Sequence, residues 1–341
     1  VEAHRGLAAL GCYGICVPED LGGAGMDYVS LAVVLEEIAA GDGGTSTVIS
    51  VTNCPVNAIL MKHGNAAQQA EWLTPLARGD MLGAFCLTEP HVGSDASGLR
   101  TTAVRDGDHY VLTGVKQFIT SGQNGDVAIV IAVTDKAAGK RGMSAFLVPT
   151  STPGYTVARL EDKLGQHSSD TAQILLTDCR IPETYRLGEE GDGYRIALGG
   201  LEGGRIGIAA QSIGMARSAL ECAIQYAKDR TSFGQPIMNH QAVGFKLADM
   251  ATQLEAARAL TLHAAAMRDA GVPCLKEAAM AKLFASEMAE QVCSQAIQVH
   301  GGYGYLADFP VERIYRDVRV CQIYEGTSDV QKILIQRALA A

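Results

Sequence analysis

Near the C-terminus, Gln322-Ile323-Tyr324-Glu325-Gly326-Thr327-Ser328 sets one carboxylate between an apolar run and a Gly-Thr-Ser turn. An acid held in an apolar pocket loses the hydration of its charged form. Its proton affinity then rises toward what a general base needs at neutral pH. Gly326 permits close approach to the backbone. Thr327 and Ser328 can cap the following helix, whose first amides suit a phosphate or another electron-rich group. The plainer reading makes Glu325 an ordinary acid complementing a helix dipole. Four other segments combine polar groups with glycine or aromatic residues in ways that suit a ligand: Phe85 to Asp95, Phe118-Ile119-Thr120, Asp229 to Gln235 and Gln298 to Gly304.

These segments need a scaffold, and the chain is long enough to supply one. Its 341 residues allow two or three domains with a large core. With 48% hydrophobic and 19% charged residues it reads as globular. Residues 1–82 read as mostly helical, with Leu31 to Ile38 at helical spacing and Asp27 or Ser30 as a cap. Pro18 to Gly25 reads as a loop without the Lys-Ser/Thr of a P-loop. Residues 83–186 read as a β-domain, a barrel or sandwich, with short β-rich runs at 110–115, 127–134, 145–149, 155–160 and 172–176. Residues 187–341 return to helix. Val243, Leu247, Met250, Leu254 and Ala257 mark one apolar face, 276–299 is Ala-rich, and 331–341 is again helical. The fold class is therefore α+β, with N-terminal helices, a middle β-domain and a C-terminal antiparallel helix bundle.

Composition excludes several functions. The net charge of −9 argues against nucleic acid as the main partner. No apolar run is long enough for a membrane span. Nine cysteines without a Cys-x-x-Cys pair read as reduced core thiols in a cytoplasmic compartment, or in the mitochondrial matrix of a eukaryote. Neither Cys nor His shows zinc-ligand spacing, so no metal is expected. There is no strand–Gly-x-Gly-x-x-Gly–helix unit, so a dinucleotide must bind by another fold.

The five chemical segments occur in the order and approximate spacing of the acyl-CoA dehydrogenase family, and the chain resembles that family over essentially its whole length. The family's helix, β, helix order matches the pattern above, and the family normally has further helix before the residue that stands here as Val1. The resemblance implies non-covalent FAD and dehydrogenation of an acyl-CoA thioester to a trans-2-enoyl-CoA. It makes Glu325 the base for the α-proton, with the β-hydrogen leaving as hydride to flavin N5. The Glu325 amide and a flavin hydroxyl then cradle the developing enolate. Some members carry their base one residue before the Arg of an acidic-x-x-Arg motif, but Glu202-Gly203-Gly204-Arg205 has Gly204 there. Glu202 stands where the family usually has an Asp on the CoA side, and Arg205 matches an Arg near the catalytic carboxylate. Tyr324 and Gly326 complete the implied substrate contacts.

The implied FAD contacts are spread along the chain. Phe85, Leu87, Thr88, Gly93 and Ser94 match the flavin-binding segment, with Thr88 on the pyrimidine end and Ser94 near pyrophosphate or substrate. His91-Val92-Gly93-Ser94 departs from the usual Gly-Ala-Gly-Ser. Phe118-Ile119-Thr120 matches a Trp-Ile-Thr stretch, with Phe118 against the flavin and Thr120 on N5. Arg230, Ser232, Phe233, His240 and Gln241 match residues serving the FAD of a neighbouring subunit. Gln298, Gly301 and Gly302 match a second such loop, and Thr327 and Ser328 add further contacts. A shared site implies a homo-oligomer, a tetramer or dimer. The family hands its electrons to electron-transferring flavoprotein. Two rivals remain: an oxidase-like relative using oxygen, and a catalytically silent acyl-CoA or flavin binder. The presence of Glu325 argues against the second.

Overall fold

Val127–Val133 is apolar throughout because it is a strand covered on both faces. The computed structural model, which describes Glu2–Ala340, places it in an eight-stranded sheet. The strands are β1 Gly83–Cys86, β2 Thr102–Asp106, β3 His109–Thr120, β4 Val127–Val133, β5 Met143–Pro149, β6 Tyr155–Leu160, β7 Thr171–Pro182 and β8 Arg186–Leu187. They lie in the order β6-β7-β3-β2-β4-β5-β8, with β1 paired parallel to β4. Val127, Ile129 and Ile131 pack with Val56, Ile59, Leu60 and Leu73. Their alternating neighbours Ala128, Val130 and Ala132 pack with Tyr110, Leu112, Ile174 and Leu176. The edge strand β6 is largely exposed, as its weaker apolar pattern requires.

The sheet belongs to a unit comprising the chain up to Asp27, 48–162 and 169–204. Its helical part contains two wide turns, Thr52–Asn57 and Gln69–Leu73. Pro55 sits inside the first, where a widened turn tolerates the missing N–H. Asn53 and Asn57 are buried and donate to the carbonyls of Cys12 and Tyr13, each at 2.8 Å. They anchor the start of the chain to the helices.

One buried ion pair braces this unit. Lys116 of β3 is fully buried, and its Nζ donates to Glu89 Oε1 (2.9 Å), Ile131 O (2.7 Å) and Leu87 O (3.1 Å). Glu89 in turn accepts from the backbone N–H of Arg100 (2.8 Å) and Thr101 (3.0 Å). Burying two charges is tolerable here because the ammonium's three donors and both carboxylate oxygens are used.

The second unit comprises 28–47, 163–168 and the chain from Arg205 onward. Its helices are Tyr28–Gly41, most of Gly193–Asp229, Gln241–Asp269, Leu275–His300, Pro310–Val318 and Ser328–Ala340. Leu247, Met250, Leu254, Ala257, Thr261 and Ala264 form the buried stripe of Gln241–Asp269. Small buried residues such as Ala278, Ala281, Ala285 and Ala289 let neighbours approach Leu275–His300 closely. The first amides of Tyr28–Gly41 are taken from afar: Asp269 accepts from Tyr28 N (2.8 Å) and Val29 N (3.1 Å). Buried Glu36 pairs with Arg217 (3.3 Å) and Arg258 (3.1 Å), tying three helices.

The helices–sheet–helices order is the α+β arrangement expected from the sequence. The structure adds β1 and β2, and it extends the expected run at 172–176 to Thr171–Pro182. The last helix starts at Ser328, ahead of the expected 331. Ala341, included in the expected helix, lies outside the described residues. Among the described residues no helix is long and apolar enough to cross a membrane.

Replacing Lys116 with Met leaves the Glu89 carboxylate buried without its cation. We expect a stability loss of about 3–5 kcal/mol, recovered in part by also replacing Glu89 with Gln, which removes the buried charge and keeps an acceptor for the Arg100 and Thr101 amides. Urea denaturation of the three proteins checks this; a single-variant loss under about 1 kcal/mol would contradict it.

Candidate active site

After Pro310–Val318 the chain tightens into the turn Arg319–Gln322 and then enters two consecutive left-handed residues. These are Glu325 (φ 54°) and Gly326 (φ 88°). A left-handed backbone costs a residue with a side chain roughly 1–2 kcal/mol, so its surroundings must hold it there. Two buried donors do so. Lys282 Nζ and Gln331 Nε2 each donate to the Gly326 carbonyl at 2.8 Å, and Gln331 Nε2 also reaches the Glu325 carbonyl at 3.2 Å. At φ 88° position 326 favours glycine, and a Cβ there would lie 2.7 Å from Gln331 Nε2 and displace that amide. Thr327 Oγ1 accepts from Val330 N at 3.3 Å and caps Ser328–Ala340.

The turn leaves the Glu325 residue half-buried, while its Oε2 is buried and has no hydrogen-bond partner. Burial pushes this carboxyl's proton affinity up to about 7, against the downward pull of the Arg205 and Lys282 charges. Arg205 is buried, so an exposed surface ion pair does not describe it. Tyr324 is held from another side. Its hydroxyl donates to Gln211 Oε1 at 2.7 Å, and Thr47 and Gln166 join the same network. Ser328 Oγ is also buried without a partner.

A second group lies in the same unit. Arg230, Ser232, Gly301 and Gly302 line one pocket of about 500 Å³, with Tyr226, His300 and Tyr303. The Arg230 guanidinium lies over the Tyr303 ring, 5.8 Å from its centre. Gly301 has φ 61°, and a Cβ at 301 or 302 would meet nothing within 4 Å, so the backbone there faces open space. Beside this pocket, Thr231–Ser232 and Gln235–Pro236 form a two-stranded hairpin whose turn residues Phe233 (φ 51°) and Gly234 (φ 80°) are both left-handed. This turn leaves Phe233 94% exposed. His240 Nε2 contacts Ser232 O at 3.1 Å, and Gln241 and Gln298 are exposed. A larger pocket, about 660 Å³ and lined by Phe245, Lys246, Asp249 and Glu290 among others, contains none of the expected residues.

The first unit carries the remaining group. The Gln117 amide donates to the Thr88 carbonyl at 2.9 Å, which ties the Phe85–Ser94 segment to β3. Between Lys116 and Ile119 the β3–β7 register slips by one residue. Phe118, at φ 58°, is turned outward and is 64% exposed, while Ile119 is buried in the core. A bulge re-aims a side chain in this way. Thr88, Phe118 and Thr120 thus share one region. Leu87 and Ile119 have core side chains, and Phe85 packs against the core, so these residues have mainly backbone to offer a ligand. Glu89 and Val92 exchange both backbone hydrogen bonds at 3.0 Å, and the tight turn they close leads to exposed Gly93 and Ser94. Glu202 is half-buried on Gly193–Asp229.

Sequence reasoning missed Lys282, Gln331 and the Glu89–Lys116 pair. Lys282 and Lys116 had a signal, a charge among buried neighbours; Gln331 had none, being the one buried residue of a mostly exposed helix, nor had Glu89, which sits in a turn. An outward aromatic on a bulge, and a glycine cradle beside an arginine, fit a flat ring and a diphosphate. Among the described residues no cluster of three or more His, Cys, Asp or Glu could hold a metal ion.

The chain matches the acyl-CoA dehydrogenase N-terminal domain over residues 1–80, the middle domain over 84–179 and the C-terminal domain over 191–340. It is 48% identical over 329 residues to the human "short-chain specific acyl-CoA dehydrogenase, mitochondrial", covering 96% of this chain and 80% of that one. It superposes on butyryl-CoA dehydrogenase from Megasphaera elsdenii with a TM-score of 0.98 and 43% identity, covering 100% of this chain and 90% of the other. A TM-score of 0.98 with 44% identity, over 99% and 89% of the two chains, relates it to a chain of the solved structure described as the electron transferring flavoprotein of Acidaminococcus fermentans. With its three domain matches and this fold, the chain belongs to the acyl-CoA dehydrogenase family and is an FAD-dependent oxidoreductase.

Proposed function

We propose that Glu325 removes the α-proton of an acyl-CoA thioester, which leaves as the trans-2-enoyl-CoA. The observation that carries this reading is the buried, unpartnered Oε2 of Glu325, on a carboxyl whose proton affinity is raised to about 7. A base near ambient pH combines a useful ionised fraction with a useful driving force for proton transfer. FAD, when bound, accepts the β-hydrogen with its electron pair, and the pair left at the α-carbon forms the double bond. Glu325 ends the step as the neutral acid, the form its burial favours. The buried Arg205 charge keeps that preference from holding the carboxyl neutral at working pH.

Positioning falls to the other groups. Thr88, Phe118 and Thr120 present a polar edge and an aromatic face to the isoalloxazine. Phe85, Leu87, Ile119, Gly93 and Ser94 supply backbone and hydroxyl contacts to it, and Ser94 and Glu202 serve the CoA side of the substrate. Tyr324 and Gly326 line the acyl site, and Thr327 and Ser328 offer the helix N-terminus to the cofactor. Arg230, Ser232, Phe233, His240, Gln241, Gln298, Gly301 and Gly302 serve FAD bound by a second copy of the chain, in a dimer or tetramer. The names of the relatives support a short acyl chain such as butyryl, and the family resemblance supports a place in fatty-acid β-oxidation. The relation to the Acidaminococcus structure supports electron-transferring flavoprotein as the acceptor. Nine free cysteines suit the cytoplasm, or the matrix in a eukaryotic cell.

Glu325→Gln should bind butyryl-CoA and FAD yet slow anaerobic flavin bleaching by roughly 10²–10⁴-fold. In the unaltered enzyme the rate should rise with pH through about 7, because only the ionised carboxylate accepts the proton. Undiminished bleaching in the Gln variant would sink the assignment. Arg230→Ala should weaken FAD affinity by roughly 10–100-fold, read from flavin fluorescence during titration of the apoprotein. An unchanged affinity would remove Arg230 from the FAD site.

A further inference from the structure

We infer that Lys282 is a positioning residue for Glu325: its buried ammonium fixes the left-handed turn through the Gly326 carbonyl and adds its positive charge to the carboxylate's surroundings. The inference rests on the reading of Glu325 as the base.

Geometry carries the first half. Lys282 is fully buried on Leu275–His300, among Ala278, Ala279, Ala281 and Ala285. A buried ammonium is costly and persists only where something uses it. Among the described residues it donates to the Gly326 carbonyl at 2.8 Å, the carbonyl of the residue directly after Glu325. Gln331 Nε2 approaches the same oxygen, also at 2.8 Å. Two buried donors from different helices therefore converge on one carbonyl, and Glu325 is held at φ 54°, a conformation it would not choose alone. The clamp fixes the backbone, and the backbone fixes where the carboxyl goes.

Charge carries the second half. The groups whose charge acts on Lys282 are Cys321 from the turn before Glu325, Glu325 itself, Arg205 from Gly193–Asp229 and Glu287 from its own helix. Those acting on Glu325 are Arg205 and Lys282. Arg205 stays charged at every working pH, so Lys282 is the member of this cluster whose cation can be lost near neutrality. Burial draws Lys282 down to about 8, while Glu325 stands at about 7. Between pH 7 and 8 both are substantially charged and stabilise each other. The two titrate as a coupled pair. A left-handed clamp alone could be made by a neutral amide, as Gln331 shows; the ammonium adds control of the proton.

The test compares Lys282→Met, which loses donor and charge, with Lys282→Gln, which keeps a donor without charge. On the holoenzyme, the acidic limb of anaerobic flavin reduction should move up by about one pH unit in both, a roughly tenfold rate loss below the limb. At high pH Lys282→Gln should recover more of the rate than Lys282→Met, because it can still hold Gly326. A readout independent of turnover is thermal unfolding of wild type, Lys282→Met, Glu325→Gln and the double variant. Between pH 7 and 8 the double variant should lose about 2 °C or more less than the sum of the single losses, and this surplus should vanish well below pH 7, where Glu325 is neutral. An unmoved limb together with additive melting temperatures would overturn the role of Lys282. If Lys282→Met does not fold, Lys282→Gln carries the same comparison. Full flavin reduction by Glu325→Gln would instead remove the base assignment itself, and the two failures are thus distinguishable.

Discussion

Everything in the C-terminal unit turns on one cost, the removal of water from a single carboxylate. Glu325 Oε2 is buried with no hydrogen-bond partner, so no bond offsets its lost hydration. The penalty raises the proton affinity to about 7, and it is limited by two cations, Arg205 and Lys282. The balance is between desolvation, which favours the acid, and through-space attraction, which favours the carboxylate.

Such a balance needs a rigid frame. The helices around Glu325 are packed through small residues, and the Tyr324 hydroxyl is fixed by Gln211 within a network that includes Thr47 and Gln166. In the β-containing unit the same economy appears. Lys116 holds the Leu87 carbonyl and the Glu89 carboxylate, the residues on either side of Thr88, so the segment proposed to face the flavin is pinned. The bulge at Phe118 then turns one aromatic outward while Ile119 stays in the core. In both units a residue with a side chain is held at positive φ by buried polar contacts beside it.

Much of this was legible in the sequence. Val127–Val133 and the stripe Leu247, Met250, Leu254, Ala257 declared their structures by period, since one is covered on two faces and the other on one. The segment around Glu325 pointed by residue type to the base chemistry proposed for it. What could not be read depends on partners distant in sequence. β1 is short and becomes a strand only beside β4. The bulge exists only relative to β7. The amides of Tyr28 and Val29 are capped by Asp269, about 240 residues away. The partner of Lys282, the Gly326 carbonyl, lies 44 residues further along the chain.

The most direct test follows the proton. In D₂O, wild-type enzyme with bound FAD should place deuterium at the α-carbon of butyryl-CoA, followed by NMR, through the exchangeable proton on Glu325. Glu325→Gln with the same flavin content should leave that carbon unlabelled on the same timescale. Labelling by the Gln variant at the wild-type rate would mean that another group moves the proton, and the assignment built on the buried carboxylate would fall.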